Sequence, residues 1–176
     1  ANAEPQIFLL CDSQTWGLPM HCKTQMASGN RMGEMIMAAR FKLEGIYTPV
    51  ITPFDDAGQI DFNSLADLVE CLVGAGVHGL ISGGSTGENY AETVEERIEI
   101  ARFITEHVKS RIPVFVGTGA LRTPDSIALA TGAKDMGATG ILLGTPPYSV
   151  PTERENALNA LAIDRACGLP IILYNY

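Results

Sequence analysis

A loop rich in glycine and hydroxyl side chains follows a short apolar run near the middle of the chain. It reads GGSTGENY over residues 83–90, and such a loop could cradle a phosphate, hold a carboxylate or only turn a corner. A phosphate-binding P-loop needs a lysine directly after its glycines, whereas here Glu88 would repel an approaching anion. Backbone N–H groups exposed around Gly84, with the hydroxyls of Ser85 and Thr86, are enough to hold one carboxylate. The residue types therefore favour a carboxylate over a phosphate.

The chain around this loop alternates candidate strands and helices. Five short apolar runs are typical of strands that are covered on both faces. They span residues 45–51, 79–82, 113–117, 140–143 and 170–174. Between them, Thr93 with Glu96 and Thr152 with Glu155 fit the capping box of a helix start. Pro124 is predicted at the first position of another helix.

This alternation predicts an α/β fold with a parallel sheet, and a weak internal repeat favours a (β/α)8 TIM barrel. The sequence GVHGLI at 76–81 corresponds to GATGIL at 137–142, so similar helix-to-strand corners recur two units apart. An open doubly wound sheet would alternate in the same way, but its G-x-G-x-x-G fingerprint does not occur. In barrels the chemistry lies at the C-terminal ends of the strands, which is where the loop at 83–90 falls.

Only part of such a barrel is expected in the chain. Four strand–helix units and a fifth strand can be counted, whereas a closed barrel has eight units in about 250 residues. We therefore interpret residues 41–176 as the N-terminal part of a TIM barrel, with the outer edge of its last strand unpaired. Residues 1–40 hold five of the six methionines and the only tryptophan, and are interpreted as an N-terminal extension of unclear role.

Composition restricts the partners and the compartment. The formal net charge of −8 disfavours nucleic acid or an anionic membrane surface as a partner. No apolar stretch approaches the ~20 residues needed to span a bilayer. Four cysteines without a CxxC pair indicate a reducing compartment, so a cytoplasmic location is predicted. His21 beside Cys22, with Cys11 upstream, lacks a fourth ligand and standard spacing, so no metal site is expected there.

Four motifs together add a family resemblance that covers residues 43–176. They are TPVITPF at 48–54, GSTGE at 84–88, TPPY at 145–148 and ILYN at 172–175. In order and spacing they resemble the dihydrodipicolinate synthase / N-acetylneuraminate lyase family. The resemblance implies a (β/α)8 barrel enzyme in which a lysine forms a Schiff base with pyruvate or another 2-oxo acid.

The resemblance also implies roles for particular residues. Gly84, Ser85 and Thr86 would bind the carboxylate of the 2-oxo acid, and Ser85 would join a proton relay with Tyr174 as its central phenol. Tyr148 would complete the relay, in many members by reaching into the site of a neighbouring subunit, so a homodimer or homotetramer is implied. The Schiff-base lysine would lie on the sixth barrel strand, beyond the last residue of the sequence, and the segment alone would be inactive.

One departure and two alternatives stay open. Synthases of the family commonly carry a second tyrosine where this chain has Pro147, so an aldolase or dehydratase acting on a sugar-derived 2-oxo acid is equally compatible with the motifs. The first alternative is a non-catalytic barrel fragment that binds a carboxylate or assembles with a partner. The second is an unrelated barrel enzyme that uses Glu88 as a general base.

Overall fold

Six strands and four helices alternate along the part of the chain described by the computed structural model, residues 7–11 and 43–175. The strands are β1 Ile7–Cys11, β2 Tyr47–Pro49, β3 Gly79–Ser82, β4 Val114–Gly117, β5 Gly140–Gly144 and β6 Ile171–Asn175. The helices are α1 Phe62–Gly74, α2 Val94–Val108, α3 Thr123–Asp135 and α4 Glu153–Cys167, and a short 3₁₀ turn covers Ser85–Gly87. Within these residues, no helix is both long and apolar enough to cross a membrane.

All strand pairs of the sheet are parallel, in the order β1-β6-β5-β4-β3-β2. From β2 to β6 the spatial order follows the chain order, and consecutive helices pack side by side, α1 on α2, α2 on α3 and α3 on α4. Crossovers between parallel strands are nearly always right-handed. Because the strand order here always advances in the same direction, the four helices lie on the same face of the sheet. This one-sided winding is half of a (β/α)8 barrel and confirms the predicted fold class, because a doubly wound sheet carries helices on both faces.

Two separate apolar layers cover the two faces of the sheet. On the helix side, Leu80 and Ile141 are fully buried in clusters that include helix residues. On the opposite face, Ile81, Phe115 and Ile172 form their own buried cluster. Successive residues of a strand point to opposite faces, so strands covered on both sides must be apolar throughout. This requirement explains the uninterrupted apolar runs of the sequence.

Side-chain caps begin α2 and α4, as the sequence predicts. The hydroxyls of Thr93 and Thr152 each accept a hydrogen bond from a backbone N–H group in the first turn of the helix. In return, the side chains of Glu96 and Glu155 accept a hydrogen bond from the backbone N–H of the cap threonine. α3 begins at Thr123, so the proline that follows occupies the second helical position rather than the predicted first. The missing N–H of proline does no harm at either position, because first-turn N–H groups have no partner within a helix.

The outer edge of β6 is paired, which shows that the prediction of an unpaired edge was wrong. β1 runs parallel to β6, with Ile7 opposite Ile171 and Cys11 opposite Asn175. An open edge would leave one row of backbone N–H and C=O groups of β6 without partners, and β1 supplies them. One segment of the predicted N-terminal extension therefore belongs to the sheet, and the other residues of that extension lie outside the described ranges.

Candidate functional site

The loop singled out in the sequence forms a compact turn at the C-terminal edge of the sheet. Its backbone is closed by hydrogen bonds from Gly87 N–H to the Gly84 carbonyl and from Glu88 N–H to the Ser85 carbonyl, both 3.1 Å long. Glu88 ends the turn in the left-handed region, with φ 59°. The side chains of Ser85 and Thr86 are exposed. The carboxylate turn, as we call residues 84–88, thus presents two hydroxyls at the mouth of the half-barrel.

Neighbouring segments hold the carboxylate turn in place. The Thr52 hydroxyl, from the segment after β2, donates a 2.8 Å hydrogen bond to the Gly87 carbonyl. The side-chain amide of Asn89 donates a 2.8 Å hydrogen bond to the Gly83 carbonyl. A Cβ atom on Gly87 would lie 2.8 Å from the Val50 carbonyl oxygen, so the close approach requires glycine. The shape of the turn is therefore set from outside, without use of its two exposed hydroxyls.

The two predicted phenols occupy different positions at this edge. Tyr174, near the end of β6, lies opposite Gly144 of β5 and on the same sheet face as the buried residue Ile172. Its side chain is 46% exposed. Tyr148 lies in the loop after β5, with φ 68° and 99% of its surface exposed. An exposed phenol is available to a second subunit, but the role of Tyr148 there stays a prediction.

Two strands that end in glycine separate the carboxylate turn from Tyr174. β3 and β6 are three strand spacings apart, about 14 Å along the sheet. On the inner face, the last positions of the two intervening strands are Gly117 and Gly144. A Cβ atom on Gly117 would clash with the Gly83 carbonyl group, so glycine there lets the end of β3 pack closely, whereas a Cβ atom on Gly144 would meet no atom within 4 Å. The structure thus places both predicted groups at one edge, without direct contact between them.

A buried arginine, which the sequence did not reveal, ties α2 to the end of β4. Arg97 is only 6% exposed, and its guanidinium donates to the carbonyl oxygens of Gly117 at 2.9 Å and Gly119 at 3.1 Å. Burial lowers the pKa of Arg97, while the nearby Glu92 carboxylate raises it. The guanidinium nevertheless stays charged, because its ordinary pKa lies above ~12. Arg97 therefore fixes the strand end beside the carboxylate turn.

Glu92 is the second charged residue that the sequence did not reveal. Burial raises the pKa of its carboxyl group, while the Thr52 hydroxyl and the charge of Arg97 oppose that rise. Neither carboxyl oxygen has a hydrogen-bond partner of good geometry among the described residues. Glu92 immediately precedes the Thr93 cap and Arg97 follows it by four residues, the two positions that often carry a hydrophobic staple. A charged pair at staple spacing is the sequence signal that would have found them.

Metal binding finds no support in the described ranges. Residues 7–11 and 43–175 contain no group of three or more His, Cys, Asp or Glu side chains that could hold a metal ion. His21 and Cys22, the candidates weighed in the sequence, lie outside those ranges.

The sheet is a parallel half-barrel with hydroxyls and a phenol at the C-terminal ends of its strands. This arrangement is that of a TIM-barrel protein, with its candidate site at the edge where such proteins usually carry theirs. The matching family model narrows that class. The chain belongs to the dihydrodipicolinate synthetase family, whose model matches residues 42–176. The resemblance seen in the four sequence motifs is thereby confirmed.

Relatives of known structure and curated function agree with this assignment. The 4-hydroxy-tetrahydrodipicolinate synthase of Pseudomonas aeruginosa is 40% identical over 133 residues, which cover 76% of this chain and 46% of that protein. The structure of the same kind of synthase from Methylacidiphilum fumariolicum SolV superposes with a TM-score of 0.74 at 38% identity, covering 77% of this chain and 45% of that one.

A second solved relative was determined with a small ligand. YagE, a prophage protein of the dihydrodipicolinic acid synthase family from E. coli K12, was solved in complex with pyruvate. It superposes with a TM-score of 0.73 at 39% identity, covering 75% of this chain and 44% of that one. The chain thus spans about half the length of the relatives that it matches.

Proposed function

We propose that this chain forms part of a Schiff-base lyase or synthase that acts on pyruvate or another 2-oxo acid. The observation that carries the proposal is the turn at Ser85–Gly87, whose exposed hydroxyls and backbone N–H groups suit a carboxylate at the C-terminal edge of the half-barrel. Membership of the family and similarity to a relative solved with pyruvate support the same class of ligand.

Each predicted site residue has a role in this proposal. Gly84, Ser85 and Thr86 bind the carboxylate, and the Tyr174 phenol transfers a proton to and from the reacting carbon skeleton. A phenol with an ordinary pKa near ~10 is a poor base alone, so it needs hydroxyl partners to exchange protons at neutral pH. Ser85 and the Tyr148 of a neighbouring subunit supply them, so the active form is a homo-oligomer that needs no cofactor.

The Schiff-base lysine is assigned to the next barrel strand, after β6. Lys109 and Lys134, the lysines within residues 43–175, lie at the C-terminal ends of α2 and α3. In a βα unit the helix runs antiparallel to the strand, so the C-terminal end of the helix lies at the N-terminal edge of the sheet. Both amines are therefore at the far end of the barrel from the carboxylate turn. The reacting amine must attack C2 of the 2-oxo acid and expel its oxygen as water, which requires an amine at the site itself.

Reductive trapping of the complete gene product tests the proposal. Treatment with pyruvate and borohydride should add one reduced pyruvate group to a single lysine, as measured by intact mass and peptide mapping. Ser85→Ala should slow trapping by weakening carboxylate binding, whereas Tyr174→Phe should lower turnover by removing the phenolic proton. Tyr90→Phe, at a tyrosine that is 77% exposed and has no proposed role, is the matched control. A folded protein without any adduct at saturating pyruvate would refute the proposal.

The Glu88→Gln variant separates this proposal from general-base catalysis by Glu88. The described hydrogen bonds of Glu88 are made by its backbone N–H and carbonyl groups, and its side chain is exposed. The lyase proposal therefore expects Glu88→Gln to retain most of the turnover. A general-base mechanism expects turnover to disappear while the unfolding transition stays unchanged.

A further inference from the structure

The hydroxyl of Thr52 is the link between the β2 side of the half-barrel and the carboxylate turn. Thr52 is 8% exposed, and its hydroxyl donates to the Gly87 carbonyl at 2.8 Å. A hydroxyl has one hydrogen and two lone pairs. With its hydrogen committed to Gly87, Thr52 can only accept a hydrogen bond from any other group.

The Glu92 carboxyl group lies beside that hydroxyl and needs a partner. The Thr52 hydroxyl is close enough to lower the pKa of Glu92, and both carboxyl oxygens are inaccessible to solvent. Buried polar groups in folded proteins are nearly always hydrogen bonded. An ionised carboxylate can only accept, and Thr52 has no second hydrogen to give, whereas a neutral carboxyl group can donate. Only the neutral form of Glu92 can therefore continue the hydrogen-bond chain from Glu92 through Thr52 to the Gly87 carbonyl.

We propose that Glu92 is a positioning residue for the 2-oxo acid site. In its neutral form Glu92 donates to the Thr52 oxygen and Thr52 donates to the Gly87 carbonyl, which fixes the turn that carries Ser85 and Thr86. In its ionised form the carboxylate competes with the Gly87 carbonyl for the single Thr52 hydrogen, and the charge-assisted hydrogen bond is the stronger. The turn then loses its tie to the β2 side. The inference rests on the proposed function, because it concerns the same site.

The charged groups around Glu92 determine the direction of the pH dependence. Burial is the largest influence and raises the pKa of Glu92 from its ordinary value of 4.5. From α2, the Arg97 charge lowers this pKa and Glu96 raises it, while Glu88 of the carboxylate turn also raises it. Glu92 therefore loses its proton at a pH above 4.5. The carboxylate turn is held at lower pH and loosens as the pH rises through the pKa of Glu92.

A backbone carbonyl reports the hydrogen-bond chain directly. Glycine labelled with 13C at the carbonyl, combined with 15N-glutamate, selects Gly–Glu pairs, of which residues 1–176 contain two, at 33–34 and 87–88. In the complete gene product, the Gly87 carbonyl shift should change as the pH rises from 4.5 and Glu92 ionises. It should stay constant in Glu92→Gln, whose amide donates to Thr52 at every pH.

Pyruvate affinity measured over the same pH range tests the functional consequence. The affinity of the parent protein should fall about three- to tenfold as pH rises, the loss expected for one neutral hydrogen bond. Glu92→Gln should keep high affinity throughout, and Glu92→Leu, which cannot donate, should bind weakly throughout. Glu99→Gln, the same change at an exposed position of α2, should titrate like the parent. Thermal unfolding of each variant confirms that it is folded.

The outcomes separate this inference from the function on which it rests. A Gly87 carbonyl shift that is constant in the parent, or that titrates equally in Glu92→Gln, overturns the inference whatever the protein binds. A titrating carbonyl with a pH-independent pyruvate affinity also overturns it, because the turn would then move without consequence for the site. A titrating carbonyl in a protein that binds no pyruvate at any pH refutes the proposed function, while the hydrogen-bond chain itself is supported.

Discussion

Substitution of Gly87 by alanine is the sharpest test of how the carboxylate turn is positioned. The residue is buried and has no positive φ, so alanine can adopt its backbone conformation and any effect must be steric. The new Cβ atom would lie 2.8 Å from the Val50 carbonyl oxygen and 3.5 Å from the Thr52 hydroxyl oxygen. The first contact is a clash with backbone, which no change of rotamer can relieve.

The size of the effect follows from that distance. Ordinary van der Waals contact begins near 3.4 Å, so the turn and the segment after β2 must separate by about 0.6 Å. Overpacking of this kind costs typically about 1–3 kcal/mol of stability. A displacement of ~1 Å at a catalytic site can cost about a hundredfold in rate, so we expect pyruvate binding and turnover to fall about tenfold.

Urea unfolding and pyruvate titration of the complete gene product measure the two effects. Gly84→Ala is the matched control for the unfolding measurement, because a Cβ atom there meets no atom within 4 Å and the residue has φ −80°. We expect the control to unfold at the same urea concentration as the parent. If Gly87→Ala shares the midpoint and the pyruvate affinity of the parent, the claim that close packing against Val50 positions the turn is wrong.

Three further substitutions test the fold. Phe115→Ala removes a fully buried ring from the inner face, where it meets Tyr47 edge-on, and should cost about 3–5 kcal/mol by urea unfolding. Hydrogen bonding to Arg111 lowers the pKa of Glu70 from its ordinary value of 4.5 to about 2. The stability that ionised Glu70 contributes is therefore lost as the pH falls from 4.5 towards 2. Glu70→Gln should reduce this dependence of the unfolding free energy on acid pH. Thr93→Ala removes the α2 cap and should cost about 1 kcal/mol in the same assay.

The strands were predictable because burial on both faces leaves a local signature. The runs predicted at 140–143 and 170–174 are observed at Gly140–Gly144 and Ile171–Asn175. The first of these two strands is one residue longer at its C-terminal end, and the second is shifted by one residue at both ends. The first strand was predicted at 45–51 but pairs only at Tyr47–Pro49. The backbone at Gly45 has φ 88°, outside the extended region, so the strand cannot begin there. Strand length there depends on backbone geometry that hydrophobicity does not record.

The charged residues beneath the site were less predictable because their burial depends on distant segments. Glu92 and Arg97 lie at the two ends of a six-residue stretch, 92–97, in which four residues are glutamate or arginine. Such a charged stretch is typical of a solvated helix start. Arg97 is buried because the carbonyls of Gly117 and Gly119, some 20 residues later, lie where they can accept from it. The charged pair at the two staple positions is the local signal, but the distant carbonyls that accept from Arg97 are not part of that local pattern.

The placement of the Tyr174 phenol depends on both neighbours of β6. On one side Tyr174 lies opposite Gly144, and on the other it lies opposite Leu10 of β1. A shift of one residue in the pairing of β6 would turn every side chain of the strand to the other face, moving the phenol away from the inner face. Two parallel ladders oppose such a shift more strongly than one, because more backbone hydrogen bonds would have to break at once. The segment paired with the outer edge of β6 therefore helps to hold Tyr174 on the inner face of the sheet.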